Sequence, residues 1–349
     1  EILEIFHNCK PIGVFVSTEE QYEKIMEIKN KCPFLKWIIA FDPVTSVPQR
    51  GITQLLSSGS DVNRTDEDEF ASAVSKIERD TMASIVYTSG STGLFKGVLL
   101  SHENFLSNVE DITASLQIDN TERVLSFLPL SHTFERTAGY YTLLFLGAAI
   151  YYAANISTLS EDIQRAKPTV MICVPRIFEK MQNKIYSQLT GLKKIIFTWA
   201  RYVHRTYKAQ AWQYKLANRL VYSKINKKLG GHLRFCVCGG APLAQELGEF
   251  FNELGITILE GYGLTETSPV IAFNRLGAMR YGTVGQALPR VQISQAEDGE
   301  LLVKGPNIMK GYYDNPKATK AAFTKEGWFL TGDIVEISPD GYIKIIDRK

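Results

Sequence analysis

Cysteine is scarce in this chain. Five cysteines in 349 residues, Cys9, Cys32, Cys173, Cys236 and Cys238, are too few for a disulfide framework and odd in number, which suits a reducing compartment. Cys236-Val-Cys238 has a one-residue gap and no second Cys or His pair nearby, so it reads as a buried strand and no metal cluster is expected. A net charge of +2 carries no global signal for a polyanionic partner. No nucleic-acid motif accompanies the local basic run, so no nucleic acid is expected. The opening Glu1-Ile-Leu-Glu4 has neither an initiator methionine nor a signal-peptide pattern.

Two local absences are more pointed. From Thr137 to Ser160 there is no charged residue, and the run up to Ala154 approaches membrane-span length. Gly147 splits it into an aromatic helix and a β-rich Ala148 to Ala153, so a buried helix and strand are expected instead of a span. Between Lys180 and Gln245 there is no acidic residue, while Lys193, Lys194, Arg201, Lys208 and Lys215 interleave with Trp199, Tyr207 and Trp212. A solvated helical face and a helix lying on anionic lipid fit this 180–235 region equally.

What is present is organised around Tyr87-Thr-Ser-Gly-Ser-Thr-Gly-Leu-Phe-Lys-Gly97, entered from the apolar run Met82 to Val86. A strand ending in such a loop brings backbone N–H groups and the hydroxyls of Thr88, Ser89, Ser91 and Thr92 toward one point, with Lys96 as a mobile cation. That is a polyphosphate cradle. Gly90 and Gly93 permit positive φ and close approach of an anion to the backbone. The spacing of a Walker A loop is absent, because Gly90 and Gly93 lie three apart and Lys96 is followed by Gly97.

Around this loop, strand and helix signals alternate: Pro11 to Val16, the charged periodic Glu19 to Lys31, then Lys36 to Phe41. The alternation predicts βαβ units with a largely parallel sheet. Gly51 to Asp80 is polar and predicts an exposed connection with a short helix. Ser101 is placed to cap the following helix, with Asn104 where a stronger capping box would have Glu. Pro168 to Val174 reads as a buried strand. After Gly282 the texture changes to short strands and turns, Gly299 to Lys304 and Tyr342 to Ile346 among them, which predicts antiparallel β.

The loop, together with Leu128-Pro-Leu-Ser-His-Thr-Phe-Glu-Arg136, Cys238-Gly-Gly-Ala-Pro-Leu243, Glu260-Gly-Tyr-Gly-Leu-Thr-Glu-Thr267, Thr331-Gly-Asp333 and Asp347-Arg-Lys349, resembles the adenylate-forming superfamily over essentially the whole chain. The spelling of the Leu128 string and the basic insertion after Pro175 to Glu179 most resemble its long-chain fatty acyl-CoA synthetase branch. The implied fold is α/β: two doubly wound α/β subdomains packed together plus a small β-barrel-like subdomain, divided at 1–125, 126–280 and 281–346, with 347–349 starting a hinge. The resemblance also implies an internal piece, lacking the family's first segment and its C-terminal lid.

The implied activity is ATP-dependent conversion of a long-chain fatty acid to acyl-AMP with release of pyrophosphate, then transfer to CoA. Thr88 to Gly93 and Lys96 would hold the departing phosphates, Thr265 the α-phosphate, and Glu266 with Thr88 a Mg²⁺ ion. Gly239, Gly240 and Ala241 would line the adenine slot with Glu260, Gly261, Tyr262 and Gly263, Tyr262 stacking on the base. Asp333, joined by Arg348, would accept from the ribose hydroxyls. His132 resembles the family histidine beside the substrate carboxylate. Some long-chain relatives carry an indole gate where Arg136 stands, which leaves Arg136 as a pocket residue without an assigned gate. The expected location is cytoplasmic, with peripheral contact at the inner face of a membrane. An acyl-AMP ligase or acyl carrier protein synthetase shares the first half-reaction, and a non-catalytic nucleotide or lipid sensor is the reading from another class.

Overall fold

The computed structural model describes residues 1–42, 51–59, 66–89 and 95–349. The chain folds into two compact units, one made of Glu1–Leu99 with Gly311–Pro316 and the other of Leu100–Lys310 with Lys317–Lys349.

In the first unit, strands Gly13–Val16 and Trp37–Ala40 pair in parallel, joined by the helix Glu19–Lys29. Thr18 starts that helix by accepting the amide of Gln21 at 3.4 Å. Tyr22 and Ile25, three apart on one face, close over Val16, Ile38 and Ala40 to make the core. A second sheet in this unit orders Gly311–Tyr312, Phe95–Ser101 and Met82–Ser89 side by side. Gly97 is required there, because a Cβ would lie 2.8 Å from Ile85 Cγ2 and 3.1 Å from the Tyr87 ring. The polar connection 51–80 carries two helices, Ile52–Gly59 and Asp66–Ser75, where one short helix was expected.

The second unit is built on a sheet with, among the described residues, seven strands. Five run parallel in the spatial order Ala149–Tyr152, Arg123–Ser126, Val170–Cys173, Phe235–Cys238, Ile258–Gly263. Val270–Phe273 and Gln286–Ala287 extend it antiparallel. Val170–Cys173 is buried throughout, as a central parallel strand with both faces covered must be. The boundary expected at 125/126 cuts through the paired strand Arg123–Ser126. In the 281–346 stretch, Gln292–Gln295, Glu300–Lys304, Phe329–Ile337 and Ile343–Arg348 form a four-stranded antiparallel sheet.

The helix His102–Ser115 shows how a short polar side chain can do the work of Glu in a capping box. Ser101 Oγ accepts the Asn104 amide at 3.3 Å, and Asn104 Oδ1 accepts the Ser101 amide at 2.8 Å. Its Nδ2 also donates to the carbonyls of Pro306 and Ile308, a bridge that Glu could not make.

The uncharged run 137–160 is only partly buried, with Thr137, Gly139, Thr142 and Leu143 covered, where a buried helix and strand were expected. It forms a π-helix Glu135–Tyr141, a helix Thr142–Leu146 and the strand Ala149–Tyr152, and Leu144, Phe145, Tyr151 and Tyr152 are exposed. For Tyr151 and Tyr152 the reason is topological: among the described residues Ala149–Tyr152 is the edge of the sheet and has one paired neighbour. Among the described residues no helix is long and apolar enough to cross a membrane.

Candidate active site

In an open α/β sheet, ligands bind beyond the carboxyl ends of the strands where the strand order reverses. Here the chain runs outward from Arg123–Ser126 to Ala149–Tyr152, then crosses back to Val170–Cys173 and on through Phe235–Cys238 to Ile258–Gly263. The segments leaving that rim are the glycine and hydroxyl strings of the sequence: His132 to Arg136 follow Ser126, Gly239 to Ala241 follow Cys238, and Leu264 to Thr267 follow Gly263.

Close backbone packing shapes these turns. A Cβ on Gly239 would lie 3.1 Å from Phe134 Cζ and 3.4 Å from the Gly261 carbonyl, and Gly240 sits at φ +80°. Gly261, in contrast, has room for a Cβ at 3.5 Å from Phe273 Cβ. At Gly263 a Cβ would fall 1.8 Å from the Pro269 carbonyl oxygen. Leu264 donates to that same oxygen at 3.1 Å, closing the turn that contains the 3₁₀ segment Thr265–Thr267. The Met309 amide donates to the Glu266 carbonyl at 2.8 Å and Asn307 Nδ2 to the Thr267 carbonyl at 3.0 Å. The backbone of the turn is thus held, with Thr265 and Glu266 half-buried on it.

Asp333 and Arg348 face each other across two antiparallel strands. The buried Asp333 carboxylate accepts the Tyr262 hydroxyl at 2.5 Å, and Arg348 Nε lies 3.8 Å from its other oxygen. Burial first, then the neighbouring carboxylate, hold the Tyr262 hydroxyl protonated by raising its pKa far above the ordinary value. These three predicted residues come together as one cluster: a phenol fixed at its hydroxyl, a charged acceptor and an exposed cation.

Glu260, expected among the nucleotide contacts, also braces the fold. It is buried, and its carboxylate accepts the Leu243 amide at 3.1 Å, tying the strand to the turn after Cys238. His132 keeps an open face to solvent, and its Nδ1 accepts the Phe134 amide at 3.2 Å, which leaves Nε2 to carry the proton of the neutral ring. Desolvation lowers its pKa below the ordinary histidine value. Arg136 turns back on its own loop, Nε donating to the Leu130 carbonyl at 3.0 Å.

Glu135 is the residue that sequence reasoning passed over, although it sits inside the Leu128 string. Its side chain is buried at 1% exposure, one oxygen accepts the Ser126 hydroxyl at 2.5 Å and the other has no hydrogen-bond partner. Gly139, one turn on, leaves it room, since a Cβ there would lie 2.7 Å from its carboxyl carbon. Burial pushes the Glu135 carboxyl up from 4.5 to about 7, the Ser126 hydrogen bond opposing. A carboxyl whose folded pKa is raised contributes stability fully present below about pH 4.5 and lost as pH rises through about 7. Glu135→Gln stays neutral, so it is expected to lose less stability than the parent between those limits, by about 3 kcal/mol at most. Urea titrations of both proteins at the two ends of that range check this; parallel pH profiles would show that Glu135 is not titrating there.

In the first unit, Thr88 and Ser89 end the strand Met82–Ser89, Thr88 half-buried and Ser89 exposed. Lys96 Nζ stands 5.2 Å from the centroid of the Tyr312 ring, a cation–π contact of the kind that holds an ammonium in place at modest cost. Tyr312 is another residue the sequence did not flag; it arrives from 216 positions away through the pairing of Tyr312 with Val98. Gly90, Ser91, Thr92 and Gly93 lie outside the described residues.

The family model described as AMP-binding enzyme matches residues 1–313. The chain is 32% identical over 361 residues to the long-chain-fatty-acid–CoA ligase FadD15 of Mycobacterium bovis, covering 99% of this chain and 58% of that protein. It is 35% identical over 292 residues to the peroxisomal long chain acyl-CoA synthetase 6 of Arabidopsis thaliana, covering 77% of this chain and 41% of that one. Among solved structures, ATP-bound MatB from Rhodopseudomonas palustris superposes with a TM-score of 0.72 at 24% identity, covering 100% of this chain and 61% of that one. The N-terminal domain of FACL13 from Mycobacterium tuberculosis gives 0.72 at 20%, covering 99% and 76%. Both support the mixed α/β fold.

Proposed function

Because the chain belongs to the AMP-binding enzyme family, we propose that the protein it represents activates a long-chain fatty acid with ATP and passes the acyl group to CoA. The chain spans 58% of the FadD15 relative, so the activity is proposed for the whole protein. The observation that carries the reading is the shared carboxyl rim of the parallel strands, from which the His132, Gly239 and Thr265 strings all leave.

In this reading the acid oxygen attacks the α-phosphorus, the bond to pyrophosphate breaks, and acyl-AMP forms. The CoA sulfur then attacks the acyl carbonyl and AMP departs. Charge grows on phosphoryl oxygens, so positioned donors matter more than an acid or base. Thr265 would donate to the α-phosphate. Tyr262 would stack on the adenine beside Gly239, Gly240 and Ala241. Among the described residues no three His, Cys, Asp or Glu side chains gather to hold a metal by themselves. Glu266 offers a single hard carboxylate, which suits Mg²⁺, an ion that keeps its waters and shares substrate phosphates. When bound, Mg²⁺ supplies charge neutralisation at those phosphates. His132, neutral with Nε2 protonated, would donate to the acid.

ATP–pyrophosphate exchange across a series of carboxylic acids, with and without CoA, tests the reading. Exchange confined to short or aromatic acids would overturn the substrate class, and acyl-AMP that CoA cannot consume would favour an acyl-AMP ligase or carrier-protein synthetase. Cytoplasmic location, with the 180–235 region against an inner membrane face, belongs to the same proposal.

Asp333 would read the ribose, not the phosphates. Asp333→Ala is expected to weaken ATP binding by about tenfold to a hundredfold, the range for a hydrogen bond to a charged group, while leaving pyrophosphate binding unchanged. Calorimetric titration with each ligand checks it, and equal weakening of both would show that the role is wrong.

A further inference from the structure

We propose that the helix Gly191–Thr206 carries an outward apolar stripe that inserts into an anionic lipid surface. The assignment rests on the reading of the 180–235 region as lipid-facing and narrows it to one helix face. This helix has two apolar sides. Phe197, Ala200 and Val203 are buried against the core of the second unit. Leu192, Ile195 and Tyr202 are 70, 66 and 57% exposed, and Trp199 between them is half-buried, packing in part against that core. Spacings of three, four and three residues put those four on one side of an α-helix. A soluble surface helix carries charged and polar residues on the side turned from the core, and here Leu192, Ile195 and Tyr202 stand exposed beside Lys194 and Thr198.

The surroundings supply the sign of the partner. Arg201 and Arg205 both grip the buried carboxylate of Glu253, with Arg201 Nε at 2.5 Å, so the helix is fastened to the protein on another side and the outer stripe stays free of that network. Lys193 and Lys194 flank the stripe, and both are exposed. The next helix, Trp212–Ala217, packs through Tyr214 on His204, ring centroids 5.7 Å apart, and presents Trp212 at 68% exposure. No acidic residue occurs between Lys180 and Gln245 to offset these cations. Lysines beside Leu, Ile, Tyr and Trp match an interface of anionic headgroups over acyl chains. A nucleic acid would answer the charge and leave Leu192 and Ile195 without a partner.

The test is co-sedimentation of the full-length protein with vesicles of phosphatidylcholine alone or mixed with phosphatidylglycerol. The parent is expected to bind the mixed vesicles, and quenching of tryptophan fluorescence by brominated lipid, reduced in Trp212→Phe, is expected to report insertion of Trp212. Ile195→Ser/Tyr202→Ser should lower partitioning about tenfold or more through lost apolar burial. Lys193→Gln/Lys194→Gln should lower it by about tenfold on mixed vesicles. Pyrophosphate exchange should be unchanged in both variants, which separates this proposal from the ligase reading. Loss in the lysine variant alone would leave the region lipid-facing and overturn insertion of the stripe. No binding to mixed vesicles would overturn both. A change of oligomeric state in the serine variant with vesicle binding intact would assign the stripe to a protein partner and overturn the proposal.

Discussion

Glu266→Ala in the full-length protein is expected to lower fatty-acid-dependent ATP–pyrophosphate exchange by a hundredfold or more while leaving the thermal unfolding midpoint close to that of the parent. The magnitude is that of losing one electrostatic stabiliser of a charged transition state, about 3 kcal/mol. The fold should survive because what holds the turn is backbone: the Met309 amide on the Glu266 carbonyl, Asn307 on the Thr267 carbonyl, and Leu264 on Pro269. None of these needs the Glu266 side chain. Glu266→Gln keeps shape and polarity and removes charge, so it should fall with alanine if the role is to hold a cation. Raising Mg²⁺ should recover part of the glutamine variant's rate. Exchange at the parental rate in either variant would remove Glu266 from the chemistry, whereas a large fall in unfolding midpoint would make it a structural residue.

The rim turns were legible in the sequence because their constraint is local. Glycine and hydroxyl strings directly after apolar runs announce strand ends at which backbone approaches something closely or takes positive φ; Gly239 and Gly263 do the first here and Gly240 the second. The parallel core was legible from runs such as Val170 to Cys173, whose lack of polar alternation needs two covered faces. What stayed hidden depends on partners distant in the chain. Glu135 looks like an ordinary acid until Ser126 and Gly139 enclose it. The bond from the Leu243 amide to the Glu260 carboxylate joins residues 17 positions apart that no local pattern connects. The exposure of Tyr151 and Tyr152 follows from their strand lying at the sheet edge, a property of strand order that composition does not carry. The stability of Lys96 beside Tyr312 likewise comes from a pairing that no local pattern encodes.

Gly263→Ala is expected to be far more damaging than Gly261→Ala two residues earlier, although both are glycine-to-alanine changes in one strand. At Gly261 the added Cβ meets Phe273 Cβ at 3.5 Å, ordinary van der Waals contact, so stability should change little. At Gly263 it meets the Pro269 carbonyl oxygen at 1.8 Å, its carbon at 2.6 Å and Val270 Cα at 3.0 Å, all of them backbone. No side chain can rotate away, so the strand and the returning segment 269–270 must separate. That separation strains the Leu264 to Pro269 hydrogen bond, which closes the turn, and the Val270 to Gly263 pairing behind it. Overpacking of this kind costs about 1–3 kcal/mol when side chains can adjust, and the rigid neighbours here put the cost at about 3 kcal/mol or more. The same movement displaces Thr265 and Glu266, and a displacement of roughly 1 Å in a catalytic arrangement can cost about a hundredfold in rate. Gly263→Ala should therefore fall in both urea midpoint and pyrophosphate exchange, measured per folded molecule, with Gly261→Ala keeping its midpoint. If Gly263→Ala unfolds at the parental urea concentration and exchanges at the parental rate, the close approach of Gly263 and Pro269 does not set the shape of the turn.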